Sequence, residues 1–228
     1  KAEIYDHLGI VDSSYFYSKD AFQKMPRTPR HFLFYSKSLV KKSLLDELLS
    51  AYKIIENEKN PQYHNAFIVA LAGMEKDNDS LRKIVLNIKE KFISSELVRI
   101  SADHYLYGIE NIKKSIEYSK KANDFFAASM FNEAIQNFKK ASELNPGDYT
   151  NNENIAFLYI QQKEFEKAIP ILFELLKNTT RLNKGKAEFL LGLSLINLDR
   201  IEEGCKYMNI SKKFNFPESY IYISRHCN

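Results

Sequence analysis

Five histidines and two cysteines are the residues best equipped for chemistry in this chain, and their spacing decides what they could do. His7, His31, His64, His104 and His226 are each isolated, with no His-Glu-x-x-His run to seat a metal. Seven glycines leave little material for a phosphate-cradling loop, and no Gly-x-Ser-x-Gly turn presents a nucleophile. Asp103-His104 is the one suggestive neighbour pair, and a helix cap or surface pair accounts for it. Cys205 and Cys227 form no Cys-x-x-Cys, and two cysteines among scattered histidines give no zinc-ligand spacing. The chain is therefore expected to be no enzyme and to carry neither metal nor cofactor. Any catalysis would have to sit elsewhere in a longer parent chain.

The elements that would position a binding site show in the composition. Of 228 residues, 44% are hydrophobic, enough for a continuous core. Only 7 Gly and 6 Pro stand against 33 basic and 29 acidic residues, the profile of long helices joined by short turns. Fourteen Tyr and sixteen Phe, with no Trp, point to aromatic wedges between helices. The net charge of +4 is small, and the Lys pairs 41–42, 120–121, 139–140 and 212–213 are scattered among acids, so no nucleic-acid footprint is visible. No apolar run approaches the roughly 18 residues that cross a bilayer, so this segment is not expected to insert in a membrane. It opens Lys1-Ala2-Glu3 rather than on Met, which leaves room for an upstream signal, anchor or domain.

Internal periodicity carries the fold. Tyr118, Ala122, Phe125, Ala134, Phe138, Ala141 and Pro146 stand where two antiparallel helices need them. Ala122 and Ala134 permit close approach, Phe125 and Phe138 fill the space beside them, and Pro146 follows the second helix. Ala156 and Ala168 repeat the two small positions 34 residues later, with Tyr159 and Leu172 as fillers. Gly192 and Gly204 repeat them again 36 residues further on, with Leu195 and Met208 beside them and two extra residues in the loop over 178–186.

These residues resemble the tetratricopeptide repeat family, bacterial type, whose unit is a 34-residue helix-turn-helix. The second unit departs from the family pattern at its closing proline, where Thr180 stands, and the third carries Gly204 and Ser211 for the usual alanines. The resemblance implies an all-α fold, a right-handed solenoid of antiparallel helix pairs with a C-terminal capping helix. Upstream, Ala2, Tyr5, Gly9, Ala21 and Pro26 fit a front-truncated unit, and Ser36, Leu39, Leu48, Tyr52, Ile55 and Pro61 a degenerate one. A helical hairpin over 61–92 and one helix over 94–108 are off the pattern. Residues 1–108 are thus expected to be degenerate repeats and 109–228 three regular units plus a cap, in one continuous array. Ser43 and Asp79-Ser80 read as helix N-caps, and Pro170 falls in the first turns of its helix.

The C-terminal run from 201 to 227 looks like the closing segment of bacterial members of the family, with a cysteine on each of two helices. A last helix begun by Pro217 would bring Cys205 and Cys227 to nearly the same level, compatible with the ~5.5 Å Cα separation of a disulfide. Two buried free thiols fit the sequence equally. A disulfide would favour an extracytoplasmic, oxidising setting such as a periplasm.

In this architecture the first helix of each unit lines a concave surface whose side chains packing leaves free. From the first regular unit these are Ser119, Lys120, Asn123 and Phe126, with Ile116. From the second they are Glu153, Asn154, Phe157, Ile160 and Gln161, and from the third Lys186, Phe189, Leu193 and Asn197, with Leu190 and Ile196. Chaperone-binding members of the family grip a peptide carboxylate with Lys, Asn, Asn, Lys and Arg. Asn123, Asn154 and Lys186 match, but Ser119 and Leu190 replace the other Lys and the Arg. With two of three charges gone, the aromatics imply an apolar trough for a protein or peptide segment. The expected function is a non-catalytic scaffold. The alternative, from a fainter likeness over 21–39, is the soluble extracytoplasmic tail of a membrane-bound O-antigen ligase or polymerase-like protein. Homo-oligomer assembly would appear as a concentration-dependent mass.

Overall fold

The computed structural model describes residues 1–177 and 184–227, and the loop expected over 178–186, Thr180 included, lies mostly outside them. The described residues form fourteen α-helices and no strand, so the all-α expectation holds. They divide into two compact units, Lys1–Gly108 and Ile109–Asn228.

The first unit contains α1 (Ala2–His7), α2 (Val11–Lys24), α3 (Pro29–Lys42), α4 (Leu45–Ile55), α5 (Pro61–Gly73), α6 (Asp79–Lys91) and α7 (Glu96–Tyr107). Pro29 and Pro61 stand in the first turn of their helices, where a missing N–H costs nothing. Asn60, Asn78 and Ser95 cap α5, α6 and α7 by accepting a backbone N–H of the first turn. Two expected caps are corrected. Asp79 is already helical and Asn78 before it does the capping, while Ser43 closes α3 with φ 55° instead of opening α4. A short polar side chain suits both helix ends, so residue type alone does not separate them.

Aromatic rings fill this unit's core. Phe22 stacks on Tyr35 at 5.2 Å and Tyr52 on Phe67 at 3.8 Å. Polar groups beneath them are matched. Glu47 accepts from Tyr15 and Tyr35 and pairs with Lys19 at 2.6 Å. Lys89, almost wholly enclosed, pairs with Asp103 at 2.5 Å, which gives that aspartate a structural role. His64 is fully buried; its Nδ1 lies 2.6 Å from the Tyr52 hydroxyl and its Nε2 2.8 Å from the Glu58 carbonyl. The neutral ring satisfies both, with Nε2–H donating and Nδ1 accepting.

The second unit contains α8 (Ile109–Ala127), α9 (Phe131–Leu144), α10 (Thr150–Gln161), α11 (Phe165–Lys177), α12 (Lys186–Asn197), α13 (Ile201–Lys213) and α14 (Pro217–His226). Each packs on the next, and α10, α12 and α14 also touch in succession along one side. The small positions are closed: Ala122, Ala134, Ala156 and Ala168 are fully buried. A Cβ on Gly192 would stand 2.9 Å from the Gly204 carbonyl, and one on Gly204 2.8 Å from the Gly192 carbonyl. At this crossing even alanine is too large, which is why the third pair uses glycine.

One turn joins the helices of every pair. Ser129, Lys163 and Asp199 have φ near 60°, and the two amides at each turn fold back onto the preceding helix. Ser129 N donates to Phe126 O and Met130 N to Phe125 O; Lys163 and Glu164, then Asp199 and Arg200, repeat both bonds. Lys163 follows Ser129 by 34 residues and Asp199 follows Lys163 by 36, so the turn keeps the period of the small residues. Asn215 makes the same turn before α14, and Cys227, just past α14, is disulfide-bonded to Cys205 on α13 with 5.5 Å between Cα atoms.

Two predictions follow from this packing. Gly204→Ala gains helix propensity but meets backbone atoms, and its net cost is expected at about 1–3 kcal/mol by urea unfolding; an equally or more stable variant would refute the tight crossing. Burial depresses the His64 pKa below its usual 6.5, so the neutral ring stabilises the fold above that pH. That stabilisation is lost as pH falls through the folded-state value, because the unfolded chain takes the proton first. The melting temperature should therefore drop on acidification from about pH 7.5 to about pH 5 more steeply than in His64→Gln.

Candidate functional site

The first helices of the second unit place side chains on a common side because α10 and α12 lie against one another and α8 is tied to α10. Ser119 on α8 donates to Asn151 Oδ1 on α10 at 2.7 Å. From that frame Asn123 and Phe126 of α8, Asn154 and Phe157 of α10 and Lys186 of α12 line one pocket of about 190 Å³. Its floor is Phe138 and Leu158, both buried. Phe126 and Phe157 meet edge to face at 6.1 Å, and Phe126 is 40% exposed, so an aromatic ledge opens onto solvent.

Lys186 supplies the positive charge among the described lining residues. Its Nζ lies 3.5 Å from Asn154 Oδ1 and 3.7 Å from Glu153 Oε2. The ammonium is thus already drawn toward oxygen atoms of α10. Asn123 is exposed and Asn154 half-buried at the rim, each offering an amide donor and acceptor. Pockets for small ligands usually hold about 300–1,000 Å³. One of 190 Å³ is instead the size of a socket for a single large side chain, with amides beside it able to bond a passing backbone.

Five of the residues expected from sequence therefore converge: Asn123, Phe126, Asn154, Phe157 and Lys186. Lys120, Gln161 and Asn197 are exposed and Leu193 half-buried, outside this pocket, and the Asn197 amide turns back to the Leu193 carbonyl at 2.8 Å. Ser119 stands just before Asn123 on α8 and is used in the bond to α10.

Five expected groove residues are buried instead, which corrects the reading that they face solvent. Glu153 is 2% exposed, because one step along a helix turns the side chain by about 100°, carrying it from the rim occupied by Asn154 to beneath Lys186. Ile160 is enclosed in the cluster that α10 shares with α12. Phe189 is 8% exposed because Phe216, just before α14, and Tyr222, in its middle, pack on its ring at 5.2 and 5.4 Å. Leu190, where the carboxylate-gripping pattern has Arg, and Ile196 are buried as well. Sequence spacing marked Phe138 only as core and gave no role to Leu158; that both close the pocket depends on helix rotation.

Among the described residues no helix is long and apolar enough to cross a membrane. A larger hollow of about 430 Å³ in the first unit borders His64, Lys83, Asn87 and Lys91, but both His64 nitrogens are already bonded and Lys91 donates to the Glu56 carbonyl at 3.3 Å.

The tetratricopeptide repeat family model matches residues 125–194, which includes most of this pocket. A 104-residue stretch, 46% of the chain, is 29% identical to the Hsp70-Hsp90 organising protein of Plasmodium falciparum and spans 17% of that protein's length. Among solved structures, the TPR2AB-domain complex of yeast Sti1 with pHSP90 is similar over 99% of this chain and 92% of its own, at 11% identity and a TM-score of 0.43. The TPR domain of p58(IPK) is similar over 98% of this chain and 61% of its own, at 15% identity and a TM-score of 0.47.

Proposed function

We propose that this chain, a tetratricopeptide repeat protein whose matched repeats run from residue 125 to 194, holds a protein partner by an extended segment laid across α8, α10 and α12. One bulky apolar side chain of that segment enters the socket under Phe126 and Phe157, and Asn123 and Asn154 bond its backbone. The observation that carries this reading is the convergence of five side chains from three successive first helices on a space of side-chain size. A relative whose printed name makes it an organiser of two other proteins supports a protein as the partner.

The pocket favours an apolar anchor over a terminal carboxylate. A carboxylate is held by charge-assisted hydrogen bonds from several cations. Here Ser119 is engaged with Asn151, Leu190 is buried, and Lys186 leans toward Glu153 and Asn154. What remains is an aromatic ledge with neutral amides, the chemistry that reads a hydrophobic residue within a chain. The reading asks for no catalytic step.

Selection of random peptides displayed on phage against the whole chain tests it. The enriched peptides should share one large apolar residue and need no free C-terminus. Asn123→Ala, at an exposed position, is expected to weaken a selected peptide by roughly tenfold through loss of its backbone bonds. Phe157→Glu should abolish measurable binding, with circular dichroism confirming that the helices persist. Peptides that bind both variants as well as the parent chain would place the site elsewhere.

A further inference from the structure

The last helix of the second unit is short and largely exposed. Of the ten residues of α14, Ser219 alone is buried, while Tyr220 and Ile221 are 44% and 52% exposed. It packs chiefly along α13 and more lightly on α12, where Phe216 just before it and Tyr222 within it sit on Phe189, with Ile223 half-buried beside them. Ten residues with so small an apolar stripe do not make a stable helix unaided, since the first turn is costly to nucleate and little packing offsets it. At one end the left-handed turn at Asn215 anchors it, and at the other the bond from Cys227 to Cys205 on α13.

Beneath this helix lies an aromatic side chain of α12. Phe189 stands on α12 where Glu153 stands on α10, 36 residues earlier, and α14 covers it as α12 covers Glu153. α14 therefore stands as one more first helix at the end of the stack, and its own residues describe the ligand that fits there: an amphipathic helix with one aromatic side chain within it, as Tyr222 is, and another just before its first turn, as Phe216 is. Cys205 and Cys227 are only half-buried, so the sulfurs are within reach of an external thiol.

We propose that α14 is an internal occupant latched by the Cys205–Cys227 disulfide, and that reduction by a dithiol frees it and opens the Phe189 face of α12 and α13 to an amphipathic, aromatic-bearing helix of a protein partner. In the exchange the dithiol is oxidised to a disulfide, passing two electrons and two protons to the Cys205–Cys227 bond, which becomes two thiols. The surface differs from the pocket at Lys186, so the inference stands apart from the reading of that pocket.

The test compares the whole chain oxidised and reduced with dithiothreitol. Hydrogen exchange of residues 217–226 should quicken by about tenfold or more on reduction, while residues 150–161 of α10 stay unchanged. A fluorescent synthetic peptide carrying residues 214–226, which contains no cysteine, is the binding probe. It should bind the reduced chain and not the oxidised one. Because the tethered helix competes with the probe, a chain carrying Cys205→Ser, Cys227→Ser and Tyr222→Asp should bind it most tightly, whatever the redox conditions. Adding Phe189→Ala to that chain should remove binding while the circular dichroism spectrum is retained. Residues 217–226 equally protected in both redox states would overturn the latch. Release without probe binding, or binding to both states alike, would overturn the docking face. Phe157→Glu should leave probe binding intact, which separates failure here from failure of the socket.

Discussion

Everything in the second unit depends on how closely two helices approach at the middle of each pair. Fully buried Ala122 and Ala134, Ala156 and Ala168, and the glycine pair at 192 and 204 bring the axes so near that larger side chains are displaced to either side of the crossing. Phe138, Leu172 and Met208 fill that flanking space and are themselves buried. Because the left-handed turn at Ser129, Lys163 and Asp199 starts each second helix at the same point, the crossing recurs and the pairs stack in step. Stacking buries more of α10 and α12 than of the second helices α9, α11 and α13, and still leaves one edge of the first helices open. The candidate site lies on that leftover surface.

That dependence explains what was legible in the sequence. Close approach tolerates few residue types, so Ala and Gly at a spacing of 34 to 36 betrayed the repeat through otherwise divergent residues. The turns were less visible, since Ser129, Lys163 and Asp199 share a backbone conformation and no side-chain type. Ser43 misled for a related reason, its short polar side chain suiting the end of α3 as well as the start of a helix. In the first unit the spacing was weaker because aromatic rings do the spacing there. Phe22, Phe32, Tyr35, Tyr52, Tyr63 and Phe67 hold helices apart by ring contacts that many registers could supply.

The candidate site was legible in part, and the missing part is a matter of angle. Asn123, Phe126, Asn154, Phe157 and Lys186 lie on the sides of their helices that packing leaves open, and a helical wheel suffices to find them. Glu153 is one step from Asn154 and falls beneath Lys186 instead of on the rim. Phe189 stands on α12 where Glu153 stands on α10, and α14 covers it as α12 covers Glu153. Periodicity locates a face; the neighbour that occupies the face is a tertiary fact.

The two sides of α12 illustrate how one repeat can serve two kinds of contact. Near its N-terminus Lys186 joins the amides and rings of α8 and α10 around a small socket, where an isolated anchor and a few backbone bonds suffice. One turn later Phe189 meets two rings from a separate helix, the geometry of helix-on-helix packing. A ligand for the first surface gains from being extended, because the amides seek unpaired backbone groups. A ligand for the second gains from being helical, because its own backbone must already be satisfied before it can cover an apolar ring. Two such ligands would be separated by secondary structure before any side chain is read.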